Sequence, residues 1–412
     1  MARLRPDLER MQQVLARLSG PDVGGTPAGG VSRPALSDAD REARLVLLEM
    51  MEGLGLSPRH DDLGSMYGRR EGIDTGLAPV LVGSHLDTVV PGGRFDGILG
   101  VTAALETVAV LNEHDIVTRR PIEVVNWTAE EGARFPPAML ASAVVAGAHD
   151  AAFAHDRVDQ QGLRFGDELA RIGFLGDAAN RPREMHASFE MHIEQGTQLE
   201  DAGIPVGVVS GIEPVRWFKV TVRGRGEHAG GPGPRGRRDA MRAAARMIVA
   251  ARDVSLDGET SKSTVGIIDA SPGSTNVVPT EVTFALDVRA MSDEHMDDAV
   301  AATRRRFDGI ASEEGVAVSW ESTFGVADTE FDPGVRAALL TAARELGHPA
   351  MELQGGIGHD SMQLASATRA GMVFTPTVGG LSHSEEEDSP WDAIHAATEV
   401  MIAALVEVAE EA

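Results

Sequence analysis

The chain has 412 residues, enough for about two or three domains, and 42% of them are apolar, enough for a sizeable core. It has no cysteine, which excludes a disulfide scaffold, a thiol nucleophile and any thiolate-ligated metal; a metal here must take His, Asp and Glu. The formal net charge of -26 repels nucleic acid and anionic membranes, so neither is an expected partner.

Leu8, Met11, Leu15 and Leu18 recur at helical spacing, and no apolar signal core follows the N-terminus. No apolar run approaches the ~20 residues of a membrane span, so the expectation is a soluble, cytoplasmic protein. A Gly-rich loop over 20–30 follows, then Ser37 as N-cap of a helix carrying Leu45, Leu47, Leu48 and Met51. Residues 79–83 read as a buried strand that delivers His85. A Gly-rich turn over 91–97 leads into a helix over 99–111, and Ile122–Trp127 is a second buried strand, delivering Glu130 and Glu131. Alternating strand and helix predicts an α/β fold with a mainly parallel sheet, whose sites lie past strand C-termini.

The middle of the chain changes character. Extended stretches at 215–222, 264–268, 282–288 and 316–320 enclose helices at 238–252 and 293–310. That order matches the ferredoxin-like split motif. Residues 213–325 are therefore expected to form an inserted α+β domain, and 1–212 with 326–412 a discontinuous catalytic domain. After the insertion a helix is expected near 333–346, a strand over 372–375 and a closing helix from about 391.

Four segments carry chemistry. In Ser84-His85-Leu86-Asp87-Thr88, His85 is a candidate metal ligand. Asp87 lies two residues on, placed to take the other ring N–H and fix the tautomer. Asp96 follows on the loop Gly92-Gly93-Arg94-Phe95-Asp96-Gly97, whose backbone can bend around an ion. Glu130 and Glu131 end an apolar strand, where one carboxylate can ligate while the other moves a proton. His192, in Met191-His192-Ile193-Glu194-Gln195-Gly196, and His383, in Gly380-Leu381-Ser382-His383-Ser384, complete the set. Taken singly, His85 and His383 more readily serve structure and His192 serves either role equally; the His-x-Asp pair beside a Gly-framed Asp favours a metal. The acidic run Ser384-Glu385-Glu386-Glu387-Asp388 reads as a solvated loop, with orientation of the His383 loop as the functional alternative.

These segments, with His228-Ala229-Gly230 and Asn276-Val277-Val278-Pro279, resemble the ureido-hydrolysing branch of the M20 metallopeptidase family from about residue 40 onward. That branch holds N-carbamoyl-L-amino-acid hydrolases, allantoate amidohydrolases and β-ureidopropionases. The resemblance implies two divalent cations, zinc first, with manganese, cobalt or nickel also suited to the donors. Asp96 would bridge them, His85 and His192 completing one site and Glu131 and His383 the other. Glu130 would be the general base, and the Asp96–Gly97 peptide would be cis. Arg289 and Asn276 would bind a substrate carboxylate, Gln195 the ureido end, and His228 the oxyanion, reaching across a homodimer. The inserted domain would serve as lid and dimerisation surface. The expected reaction cleaves the ureido C–N bond of an N-carbamoyl-L-amino acid. Allantoate or ureidopropionate hydrolysis on the same site, peptide or acyl-amino-acid cleavage, and a non-catalytic binding role are the alternatives. Two stretches depart from the family: Gly231-Pro232-Gly233-Pro234 after the His228 motif, and Gly355-Gly356-Ile357-Gly358 before His359-Asp360. Both leave the metal positions intact.

Overall fold

The computed structural model describes residues 3–231, 233 and 235–411. The first two residues of the N-terminal segment, and Pro232 and Pro234 of the departure after His228, lie outside the described residues. The chain divides into two compact units, Met1–Gly211 with Glu330–Ala412, and Ile212–Thr329.

The first unit is a mixed α/β fold around a nine-stranded sheet. Its centre is parallel: Ile122–Trp127, Val80–His85, Ala187–Ile193 and Arg369–Thr375 lie side by side in that order. The flanks are antiparallel, with Met66–Arg70 beside Ile122–Trp127 and Val206–Ile212 beside Arg369–Thr375. The three parallel strands ending at Trp127, His85 and Ile193 are buried along their whole length, as strands covered on both faces must be. The helix Ile98–Glu113 is buried from Ile98 through Leu111, and the helix Trp391–Ala409 adds a second apolar layer to the same core. Because the central strands run parallel, the segments that follow His85, Trp127, Ile193 and Thr375 all emerge at one edge of the sheet.

The N-terminal helix Leu8–Leu18 is capped by Asp7, whose side chain accepts from the amides of Glu9 and Arg10, a cap worth about 1 kcal/mol. It buries Met11, Leu15 and Leu18. Ser37 caps the helix Asp38–Gly53 by accepting from the amide of Asp40. The hairpin Ser57–His60 with Met66–Arg70 was not foreseen from the sequence; its strands are short and polar at the edge.

The second unit has a four-stranded antiparallel sheet ordered Ala317–Val326, Val215–Arg223, Glu281–Ala290, Ser261–Ser271. Helices Ala240–Gly258 and Asp293–Glu314 cover one face. Alternation shows this: Val282, Phe284, Leu286, Val288 and Ala290 are buried, and the residues between them are only half-buried. The strand Ser261–Ser271 is longer than its apolar stretch at 264–268 suggests, because backbone pairing with Glu281–Ala290 carries the polar ends.

Candidate metal centre

His85 closes a buried strand, and the chain then leaves the sheet under a buried clamp. Arg33 donates its Nε to the carbonyl of Leu86 and its Nη1 to those of Leu18 and Val23. Its backbone carbonyl accepts from the amide of Thr88 at 2.9 Å. His85 Nδ1 donates to the carbonyl of Asp87 at 2.9 Å, which leaves Nε2 free of its proton. That Nε2 stands 3.6 Å from Asp96 Oδ1. Burial pushes His85 down to about 4, so it is neutral, as a ligand must be.

The expected partner of this ring was the Asp87 carboxylate, and here the structure corrects the sequence reading. After the strand ends the chain turns, so the Asp87 carbonyl reaches Nδ1. The carboxylate points instead at the next strand's exit, accepting from the amides of Glu130 at 3.2 Å and Glu131 at 3.4 Å.

Asp96 divides its two oxygens. Oδ1 faces His192 Nε2 at 3.2 Å as well as His85, while Oδ2 faces His383 Nε2 at 3.2 Å. His383 Nε2 is also 3.4 Å from Glu131 Oε2. The ligand atoms of His85, Asp96 and His192 lie within 4.8 Å of one another, and so do those of Asp96, Glu131 and His383. Two donor clusters of nitrogen and oxygen, sharing one carboxylate, suit two divalent cations of the zinc or manganese kind. His85 and His192 stack with ring centroids 6.0 Å apart. His192 donates Nδ1 to the carbonyl of Ile193, which aims Nε2 inward. Burial opposes charge on His192, but its hydrogen bond to Asp96 and the Asp96 charge prevail and raise it to about 9 in the metal-free chain.

The expected cis Asp96–Gly97 bond is not present. The cis bonds among the described residues are Val90–Pro91, Pro136–Pro137 and Ser271–Pro272. The turn is made by Gly97 itself, at φ +68°. A Cβ there would lie 2.4 Å from the His85 ring, so glycine alone fits.

Glu130 is buried beside this centre, its Oε2 3.7 Å from His85 Nε2. Burial, then the charges of Asp360, Glu131, Asp87 and Asp96, raise its carboxyl well above the usual range. Gln195, at φ +57°, donates Nε2 to Asp96 Oδ2 and to Ser382 Oγ, both at 2.9 Å, so it sits on the carboxylate common to the two donor clusters.

Three residues expected to touch substrate belong to the second unit. His228 and Asn276 adjoin, because Glu227–His228 pairs with Val277–Val278 and the amide of Ala229 donates to the carbonyl of Asn276. Both side chains are exposed. Arg289 lies on the sheet face that the helices leave open. Its Nε and Nη2 already hold Asp287, at 3.2 and 3.1 Å. Trp217 donates its indole N–H to the same carboxylate at 2.9 Å and packs on Phe324.

Sequence reasoning missed a buried layer beneath the centre. Glu190 accepts from the hydroxyls of Ser84 and Ser361, both at 2.7 Å. His359 is buried with its ring 4.3 Å from that of His192, and among the described residues its Nε2 finds no hydrogen-bond partner. The only sequence signal was a His-Asp pair after a Gly-rich stretch. Glu387, read as part of a solvated run, is 3% exposed and bonds the amide of Asp96 at 3.0 Å.

Comparison with known proteins gives the family of the chain. Residues 81–407 match the model of peptidase family M20/M25/M40. The chain is 41% identical over 389 residues to an N-carbamoyl-L-amino-acid amidohydrolase of Rhizobium meliloti, covering 94% of each. It is 39% identical over 383 residues to the N-carbamoyl-L-amino acid amidohydrolase of Geobacillus stearothermophilus, covering 92% of this chain and 93% of that one. A crystal structure of an amidase of the hydantoinase/carbamoylase family from Burkholderia multivorans superposes with a TM-score of 0.92 at 38% identity, covering 99% of both chains.

Proposed function

Because the chain belongs to peptidase family M20/M25/M40, we propose that it hydrolyses the ureido C–N bond of an N-carbamoyl-L-amino acid, giving the amino acid, carbon dioxide and ammonia. The observation that carries this is the divided carboxylate of Asp96, with a pair of histidines on Oδ1, His383 beside Glu131 on Oδ2, and buried Glu130 adjacent. Relatives at 41% and 39% identity bearing the N-carbamoyl-L-amino-acid amidohydrolase name support the substrate class.

His85, Asp96 and His192 would hold one divalent cation, and Asp96, Glu131 and His383 a second, with zinc the first choice. When bound, such cations supply Lewis acidity toward water and the substrate carbonyl. The chain's own residues do the rest. Glu130 takes a proton from the attacking water and returns it to the leaving nitrogen, a task suited to a carboxyl whose burial brings its pKa upward. Arg289 would trade its bonds to Asp287 for the substrate carboxylate, to which it presents a planar fork, with Asn276 adding a hydrogen bond. His228 donates to the developing oxyanion, and Gln195 orients the ureido group. The second unit is read as a ferredoxin-like lid and dimerisation domain of a homodimer. No helix among the described residues is long and apolar enough to cross a membrane, and we place the enzyme in the cytoplasm.

The test is a substrate panel on metal-reconstituted enzyme: N-carbamoyl-L-amino acids, allantoate, ureidopropionate and dipeptides. Preference for the first class supports the proposal. Turnover of dipeptides alone, or of none of these with the metals bound, overturns it.

A further inference from the structure

Glu387 stands in the run Ser384-Glu385-Glu386-Glu387-Asp388, where Glu386 and Asp388 are exposed and it alone of the four acids is buried. Its Oε1 accepts from two consecutive amides, Phe95 at 2.8 Å and Asp96 at 3.0 Å. Its Oε2 accepts from the hydroxyl of Ser382 at 2.7 Å. Ser382 in turn receives Gln195 Nε2, which also donates to Asp96 Oδ2. One carboxylate thus ties the loop that carries Asp96 to the loop that carries His383. The sequence makes room for it: a Cβ at Gly93 would fall 2.0 Å from the Glu387 carboxylate.

The two donor clusters differ in how they are held. His85 and His192 lie on buried strands, each paired in parallel along its length with a neighbour, Val80–His85 with Ile122–Trp127 and Ala187–Ile193 with Arg369–Thr375. Asp96, Glu131 and His383 come from three separate loops. A carboxylate that bonds charge-assisted to two amides fixes a loop more tightly than neutral contacts do. The loop-built cluster needs such a tie, whereas the strand-built histidines keep their places without it.

We propose that Glu387 is a positioning residue for the second cation, setting the separation of Asp96 and His383; this rests on the reading of Asp96 as a carboxylate shared by two cations. Glu387 belongs to neither of the two donor clusters.

The test titrates zinc into the chelator-stripped full chain, with calorimetry and metal analysis as readouts. In Glu387→Ala one of the two binding steps should lose about 10- to 100-fold in affinity while the other stays within about threefold, the range seen when outer-shell partners of metal ligands are removed. Glu387→Gln keeps an acceptor for both amides and should restore most of that loss. Activity of Glu387→Ala should recover in excess zinc with KM unchanged. Wild-type affinities for both cations in Glu387→Ala overturn the proposal, as does equal loss of both steps. Should Glu387→Ala fail to fold, Glu387→Asp shortens the side chain by one methylene and draws its carboxylate off the two amides, and an unweakened second step there overturns it. A wild-type chain that takes fewer than two cations removes the shared-carboxylate reading and this proposal together.

Discussion

His192 holds its Nε2 3.2 Å from Oδ1 of Asp96. In the metal-free chain that pair keeps a proton on His192 up to about 9, above its ordinary 6.5. A cation must displace this proton, so metal affinity should rise with pH to about 9, near tenfold per pH unit for one proton released. Chelator competition between pH 6.5 and 9 measures this. The sign for folding follows from linkage. A raised histidine contributes stability that is complete below 6.5 and disappears as pH climbs through about 9. Metal-free enzyme should therefore melt lower at pH 9 than at pH 6.5, and added zinc should reverse the trend.

Glu130→Gln removes the proposed base while leaving both donor clusters. The expected result is unchanged metal content with kcat lower by about 10²- to 10⁴-fold, the usual worth of a positioned acid–base group. Metal analysis beside steady-state kinetics decides; full activity would reject the assignment.

Arg289→Lys replaces a fork with a point charge. Hydrogen bonds to charged groups are worth about 1.5–3 kcal/mol. KM for an N-carbamoyl amino acid should rise roughly 10- to 100-fold with kcat little changed, because the carboxylate is bound alike in ground and transition states. An unchanged KM, with binding measured directly, would move the carboxylate elsewhere.

Arg33→Met strips donors from the carbonyls of Leu86, Leu18 and Val23 in a site with no solvent access. Each buried acceptor left alone costs about 1–3 kcal/mol. The first unit should lose stability, and amide exchange should quicken at Leu86 through Thr88 before the rest of the sheet. Uniform exchange across the sheet would contradict the clamp.

The strands that deliver His85 and Glu130 were readable because mostly apolar runs have one physical use, burial in a parallel sheet. Their polar ends then stand out against the pattern. Glu387 was not readable. Its neighbours are exposed acids, and what buries it is a pair of amides 291 and 292 residues away, which leave no local trace. Arg33 hides for the same reason, since carbonyls carry no sequence signature. Asp87 misled through geometry: two residues along a strand share a face, but the strand stops at His85 and the rule stops with it.

Arg369–Thr375 slots between Ala187–Ile193 and Val206–Ile212, which do not bond to each other. During synthesis both must wait for some 160 further residues with bare facing edges, a sticky interval that invites self-association. The stretch Ile212–Thr329, made within that interval, has a contiguous core of its own. A gene fragment encoding it should yield folded protein, whereas severing the 3′ end before residue 369 should leave the nascent product for chaperones and proteases.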